Sequence, residues 1–261
     1  MHDQQIAWFR LDPSVNVGLG KGWQVSAGVP FDLRLVTVQY ETLDGAAYDP
    51  PYDDIHHRNE AIAGPVDGTA LVRKVISTKH FIVGAGVGTT LPIGKTEEDP
   101  FALTEAGLAH QHSQLGTGTF VPLASVDVYY AAARWGALGF AQLRLPLYEN
   151  DKGYRPPASA TLGVGPSFRI LPPLQVIATA EGAYDSAEYW HDTAHGGRLA
   201  LVVGVGGIYS LSPHVVVQAQ ARFTPLQHAE EEDHDAVFVQ PVVATIGVSW
   251  TLGSGVKPAV R

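Results

Sequence analysis

The stretch Val215-Val216-Val217-Gln218-Ala219-Gln220-Ala221-Arg222-Phe223 decides the fold. Side chains of an extended chain alternate between two faces, so Val215, Val217, Ala219, Ala221 and Phe223 share one face and Val216, Gln218, Gln220 and Arg222 the other. One face is wholly apolar and the other mostly polar. Such a strand separates two environments. The same alternation recurs elsewhere. Val25, Ala27, Val29, Phe31, Leu33 and Leu35 oppose Gln24, Ser26, Gly28, Asp32 and Arg34. Leu162, Val164, Pro166, Phe168 and Ile170 oppose Thr161, Gly163, Gly165, Ser167 and Arg169, and Ala141, Leu143, Leu145 and Leu147 oppose Gln142 and Arg144.

Read this way, the chain carries eleven strands, at about 5–20, 23–40, 69–79, 81–94, 120–135, 138–148, 160–171, 174–184, 198–210, 214–224 and 237–252. Tight connections at Lys21-Gly22, Lys79-His80, Gly136, Pro172-Pro173 and Ser212-Pro213 take turns with long polar segments at 41–68, 95–119, 149–159, 185–197 and 225–236. Short turns at one end and long loops at the other are the plan of a bacterial outer-membrane barrel. The expected fold is therefore all-β, an antiparallel up-and-down transmembrane β-barrel of about twelve strands, since such barrels usually have an even number. The twelfth lies upstream of Met1, hides within 41–68, or does not exist. Residues 1–252 form one barrel domain and 253–261 a C-terminal tail.

Which face meets lipid follows from the polar face, which carries Gly, Ser, Thr and Gln with isolated Arg and Asp. A solvent-facing surface would carry more Lys and Glu. Aromatic residues also gather near strand ends: Tyr40, Tyr148, Tyr184 and Phe223 beside long loops, and Phe81, Trp135, Phe168, Tyr209 and Trp250 beside short turns or the chain end. Two aromatic belts are expected of a membrane barrel in the bacterial outer membrane. No run of 18 apolar residues exists, so helical spans are excluded.

Composition narrows the function classes. The 261 residues contain no cysteine, which leaves no disulfide framework and no thiolate metal site. A net charge of −9 and a pI near 5.6, with no basic stripe, argue against a nucleic-acid partner. The start, Met1-His2-Asp3-Gln4-Gln5, lacks the basic and apolar regions of a signal peptide, so a signal is expected to have been removed or left out.

The polar face supplies the candidate lumen lining: Arg10, Asp12, Asp32, Arg34, Asp127, Gln142, Arg144, Arg169, Gln175, Glu181, Gln218, Gln220 and Arg222. Inward charges of both signs either line a narrow path for a small-molecule solute or pair and close it. Outer-membrane lipid and lipopolysaccharide are the expected surroundings, and a periplasmic or envelope protein is a further candidate partner. No cofactor is required.

The long loops hold eight of the eleven histidines: His56, His57, His110, His112, His191, His195, His228 and His234. Imidazole and carboxylate donors without thiolate suit Zn, Cu or Ni. A surface barrel that captures such a metal is thus the alternative function. The acidic run Glu230-Glu231-Glu232 reads as a solvated face. Glu105 to Ser113 looks like the Glu-x-Gly-x-x-His-x-Ser segment of outer-membrane phospholipase A. There, however, His and Ser stand two apart, whereas Ser113 is adjacent to His112 and three from His110. An omptin-like protease would need paired Asp and an Asp–His couple at the rim; Asp53, Asp54 and His56 offer one, but any acidic, His-bearing loop would offer the same. A hydrolase is accordingly the weakest reading. Gly84-Ala85-Gly86-Val87-Gly88 and Gly204-Val205-Gly206-Gly207 fall inside strands with no following helix, so they make room in the wall and are not nucleotide loops.

Several short pieces resemble a family of outer-membrane transporters linked to the meta-cleavage pathway of phenol degradation. They are Val29-Pro30-Phe31, Gly64-Pro65-Val66-Asp67-Gly68, Leu91-Pro92-Ile93-Gly94-Lys95 with Glu97 to Pro100, and His110 to Phe120 containing Gly116-Thr117-Gly118-Thr119. The likeness covers the first half of the chain in motif and the remainder in strand pattern only. It implies a barrel that passes small, often apolar molecules, and it carries over no residue-level substrate code.

Overall fold

In the computed structural model, which describes residues 2–42, 44–49, 58–111, 113–229 and 242–252, one antiparallel sheet of eleven strands dominates. The strands follow chain order. Strand β1 is His2–Leu11 and Ser14–Gly20, β2 is Trp23–Gly28 and Phe31–Glu41, and β3 is Glu60–Pro65 and Gly68–Ser77. Of these, Ser14–Gly20, Trp23–Gly28 and Gly68–Ser77 belong to the large sheet, and His2–Leu11, Phe31–Glu41 and Glu60–Pro65 pair in a smaller sheet that continues it toward the loops. Then come β4 (Phe81–Leu91), β5 (Pro122–Ala131), β6 (Trp135–Arg144), β7 (Ser159–Leu171) and β8 (Leu174–Asp185). Strands β9 (Arg198–Ser210), β10 (Val215–Ala229) and β11 (Val242–Trp250) complete the sheet. Each strand pairs with its sequence neighbours, which is the up-and-down barrel topology. Long and short connections stay at opposite ends throughout.

The outer face is apolar because it must sit in hydrocarbon. Val15, Val17, Val25, Leu33, Val87, Leu162, Val164, Val205, Ile246 and Val248 all project outward and are exposed. An aromatic girdle marks the turn end, with Phe81 against Tyr130 and Trp135 against Phe168 at centroid distances of 5.1 and 4.6 Å. Lys74 sits beside them over the Trp23 ring, an amphipathic placement suited to a headgroup interface. Tyr40 departs from the expected belt. It follows Arg34, Val36 and Val38 on the inner face of β2.

The opposite face is concave, as side chains from next-but-one strands meet across it. Arg73 of β3 reaches Asp127 of β5 over β4, and a Cβ on Gly84 would collide with the Arg73 guanidinium. Arg222 of β10 reaches Glu181 of β8 over Gly204 of β9. Gln175 of β8 donates to Ser167 (2.8 Å) and to Tyr129 of β5, and those hydroxyls lie over Gly136 of β6. The strand glycines therefore provide a floor for long polar side chains.

Several boundaries differ from the sequence expectation. The fifth connection is Ala132-Ala133-Arg134, closed by Ala132 N–H donating to the Trp135 carbonyl, and Gly136 lies inside β6. That turn contains neither Gly nor Pro, so it leaves no mark in the sequence. Segment Glu60–Pro65, expected within a loop, extends β3 upward and is not a twelfth strand. Breaks at Asp12-Pro13, Val29-Pro30 and Val66-Asp67 line up across β1, β2 and β3, and in the first two proline lacks an N–H for the ladder. Val29 N–H and Val66 N–H still donate across this seam, to the carbonyls of Pro13 and Pro30. The tail 253–261 lies outside the described residues.

Two glycines test the wall directly. A Cβ on Gly165 would strike the Ala178 carbonyl oxygen of the neighbouring strand, whereas a Cβ on Gly182 meets nothing within 4 Å. Gly165→Val is expected to cost at least about 1–3 kcal/mol of folded-state stability, as overpacking against backbone does, while Gly182→Val is near neutral. Heat-modifiable gel migration and urea unfolding in detergent micelles measure both.

Candidate functional site: the inner face and its loop cap

Alternation alone settles most of the inner face. Arg10, Asp32, Arg34, Asp127, Gln142, Arg144, Arg169, Gln175, Glu181, Gln218, Gln220 and Arg222 lie on it. Asp12 falls in the Asp12-Pro13 break, near enough to Arg10 to act on it electrostatically. Arg73 also lies on this face but is missing from the sequence-based set. Its neighbours Leu71-Val72-Arg73-Lys74-Val75-Ile76 do not alternate cleanly, and two adjacent charges hide which one points inward.

Asp32 is the most enclosed charge, with no solvent-exposed surface. Arg10 embraces it with Nε to Oδ1 at 2.6 Å and Nη2 to Oδ2 at 3.0 Å, and Arg34 Nη2 donates to the same Oδ2 at 3.0 Å. Trp8 also donates to it, while its ring lies beneath both guanidiniums, 5.0 Å from Arg10 and 4.6 Å from Arg34. A buried carboxylate needs such a set of donors, because desolvation would otherwise neutralise it.

From this triad the inner face leads into the long loop 92–121. Arg34 Nη1 donates to the Gln114 carbonyl at 3.3 Å, and the Leu115 side chain abuts Gly64. The loop therefore turns inward against the walls of β2 and β3. Asp67, in the seam of β3, holds it there. Its Oδ1 accepts from Gly94 N–H (3.0 Å), and its Oδ2 accepts from Thr117 N–H and Thr117 Oγ1 (both 2.7 Å). Gly94 and Gly116 pack backbone to backbone, with no room for a Cβ on either. Three of the quoted sequence motifs thus converge on one carboxylate, and Asp67 was absent from the sequence-based set.

Two further loops fasten onto this one. Asn150 donates to the Thr117 carbonyl (3.0 Å), Lys152 pairs with Glu98 (3.0 Å), and the Tyr148 hydroxyl accepts from Phe120 N–H (2.9 Å). Helix α1 (Pro100–Glu105), capped by Asp99, stacks Phe101 on the His195 ring at 3.7 Å between centroids. His195 belongs to the hairpin Glu188–Trp190/Thr193–His195, whose first strand pairs with Tyr154–Arg155. There the Tyr154 hydroxyl donates to Glu188 Oε2 at 2.9 Å, and the Tyr154 and Trp190 rings pack at 4.8 Å. Burial pushes the Tyr154 phenol well above its usual range, reinforced by the Glu188 charge. Burial also raises the Glu188 carboxyl, against the Tyr154 hydrogen bond and the nearby His195, which act to lower it.

Among the described residues the histidines do not gather. Both nitrogens of the buried His110 ring are engaged, Nδ1 with the Leu108 carbonyl (2.9 Å) and Nε2 with Thr104 Oγ1 (3.1 Å). His191 is a turn residue with φ 46°, its Nε2 4.0 Å from Asp99, and His228 lies opposite Leu199 on the outer face. His56, His57, His112 and His234 lie outside the described residues. Among the described residues no three His, Cys, Asp or Glu side chains are grouped to hold a metal ion. The metal-capture alternative therefore gains no support, and the ring bonds of His110 give none to a phospholipase-like site.

No protein-family model and no curated protein matches the chain. Solved structures do. The crystal structure of the COG4313 outer membrane channel from Pseudomonas putida F1 is similar at 13% identity and TM-score 0.54, over 87% of this chain and 78% of that one. OmpT, an outer membrane protein of Vibrio cholerae, and its loop L8 deletion mutant are 11% and 10% identical. The two matches cover 85% and 96% of this chain and 86% and 98% of theirs. Their TM-scores, 0.42 and 0.44, are too low to carry an argument. The fold is thus that of a bacterial outer-membrane β-barrel, in keeping with the apolar outer face.

Glu188 makes the cap sensitive to pH in a defined direction. Its folded-state pKa is raised, so the folded cap holds the proton more tightly than the unfolded one, and ionisation weakens the cap as pH rises through the raised value. Glu188→Gln is expected to increase amide-exchange protection of the 154–155 and 188–190 strands at neutral pH. The gain should vanish in acid, where both forms are neutral.

Proposed function

We propose that this barrel conducts small solutes across the outer membrane through the space behind its polar inner face, with the 92–121 loop setting the width of the path. The observation that carries this reading is the arrangement of charge inside the wall. Ion pairs run along the inner face, Arg73 with Asp127 and Arg222 with Glu181, and do not clasp opposite walls together. Glycine floors recess them. Side chains laid flat in this way leave the axis to the loop, which Asp67 pins to one side. The similar structure from Pseudomonas putida F1 is an outer membrane channel, which agrees with the reading at the level of fold. The motif resemblance to transporters of the phenol meta-cleavage pathway points to the same class and suggests small, often apolar cargo. On this reading the chain is not an enzyme and needs no cofactor. Its surroundings are outer-membrane lipid and lipopolysaccharide.

Current through the purified protein in planar bilayers tests the proposal. Wild type should conduct in small steps. Asp67→Ala removes three acceptor contacts from the loop, at about 1–3 kcal/mol for donors left unsatisfied, and should raise the step size several-fold. If neither protein conducts while both show heat-modifiable migration, the channel reading fails.

A further inference from the structure

The concave face of β6 carries Leu138, Phe140, Gln142 and Arg144 in succession, alternating with outward Ala137, Gly139, Ala141 and Leu143. Arg144 is distinct among the inner-face guanidiniums. Arg10 and Arg34 share Asp32, Arg73 has Asp127, Arg198 has Asp185 at 2.7 Å, and Arg222 has Glu181. Arg144 has no hydrogen bond or ion pair among the described residues. Arg10 and Asp185 act on it only through space, and each already has an oppositely charged partner. Arg169, which has no side-chain partner among the described residues either, stands two residues from the end of β7 at the turn side of the barrel, away from this group. A guanidinium presents a planar fork of donors that matches a carboxylate in two parallel hydrogen bonds. The Arg144 fork is unused.

What lies below it is graded in polarity. One layer toward the turns, Gln142 faces inward between Ser125 of β5 and Thr161 of β7, its register partners. No hydrogen bond among the described residues uses these three side chains. The next layer is Phe140, whose ring covers Gly163 of β7, where a Cβ would collide with it. The carboxylates flanking Phe140 in register, Asp127 on one side and Glu181 beyond Gly163 on the other, are both neutralised by their arginines. Four residues of strand set Arg144 and Phe140 roughly 13 Å apart along the backbone.

We propose that the inner face of β6 is a binding track for small organic carboxylates. Arg144 takes the carboxylate, Ser125, Gln142 and Thr161 supply the polar layer beneath it, and Phe140 above Gly163 takes the apolar body. The track makes amphipathic acids the preferred cargo and deepens the channel reading, on which it rests for access from solvent.

Calorimetric titration of the folded barrel in detergent, with hexanoate and with its neutral counterpart 1-hexanol, tests this. Wild type should bind hexanoate at least about tenfold tighter than hexanol. Arg144→Gln should abolish that difference, Arg169→Gln should leave it intact, and Phe140→Ala should weaken both ligands. Heat-modifiable migration shows that each variant is folded. Equal binding of the two ligands by wild type, or a hexanoate preference that survives Arg144→Gln, overturns the proposal. The bilayer currents separate it from the channel reading. A non-conducting barrel that binds hexanoate through Arg144 keeps the track and ends the channel, and a conducting barrel with no hexanoate preference does the reverse.

Discussion

A peptide group in hydrocarbon has no water to turn to, so each N–H and C=O of a membrane wall must find its partner within the sheet. Everything else in this molecule is arranged around that requirement. It forces long, regular antiparallel ladders such as β8 with β9, paired without interruption from Leu174–Tyr209 to Asp185–Arg198. It also sends irregular backbone to the ends, where headgroups and water can satisfy it. The one misalignment shared by three strands, the proline seam of β1 to β3, is bridged by its own backbone hydrogen bonds. At that seam the wall gives up regularity and gains Asp67, a carboxylate free to hold the loop.

Charge inside such a wall is costly unless neutralised, and the chain neutralises it locally. Asp32 collects donors from β1 and β2 alone, and the Arg73–Asp127 and Glu181–Arg222 pairs each span a single intervening strand. Because these bonds are short-range around the circumference, they stiffen the wall locally. The long loops use the same chemistry for a different end. Asn150, Lys152, Tyr148, Tyr154 and the Phe101–His195 stack join three separate connections into a single cap.

Fold class and strand order were legible in the sequence because lipid on one side and a polar lumen on the other leave a period of 2 that local reading detects. The inner-face set rests on the same parity, which loses its hold where it is ambiguous, at Arg73-Lys74, and where the strands break, at Asp12 and Asp67. The Ala132-Ala133-Arg134 turn was illegible for want of Gly or Pro. The loop cap was illegible for another reason. Asp67 meets Gly94 and Thr117 across 27 and 50 residues of chain, contacts that no periodicity encodes. The histidines are a separate case. Their clustering in sequence suggests convergence, whereas among the described residues His110 is consumed by its own loop and His228 faces outward.

The glycine floors have a consequence for how this sequence can change. At Gly84 a Cβ would meet the Arg73 guanidinium on its way to Asp127, whereas at Gly204 it would meet Thr179 Oγ1 first and the Gln220 amide next, with Arg222 in ordinary contact. A side chain added at Gly84 therefore pushes the flexible end of Arg73 off its path and away from Asp127, so the glycine and the ion pair are kept or lost together. Descendants of this chain that keep the Arg73–Asp127 pair keep Gly84 with it, and those that abandon the pair are free to fill the floor there.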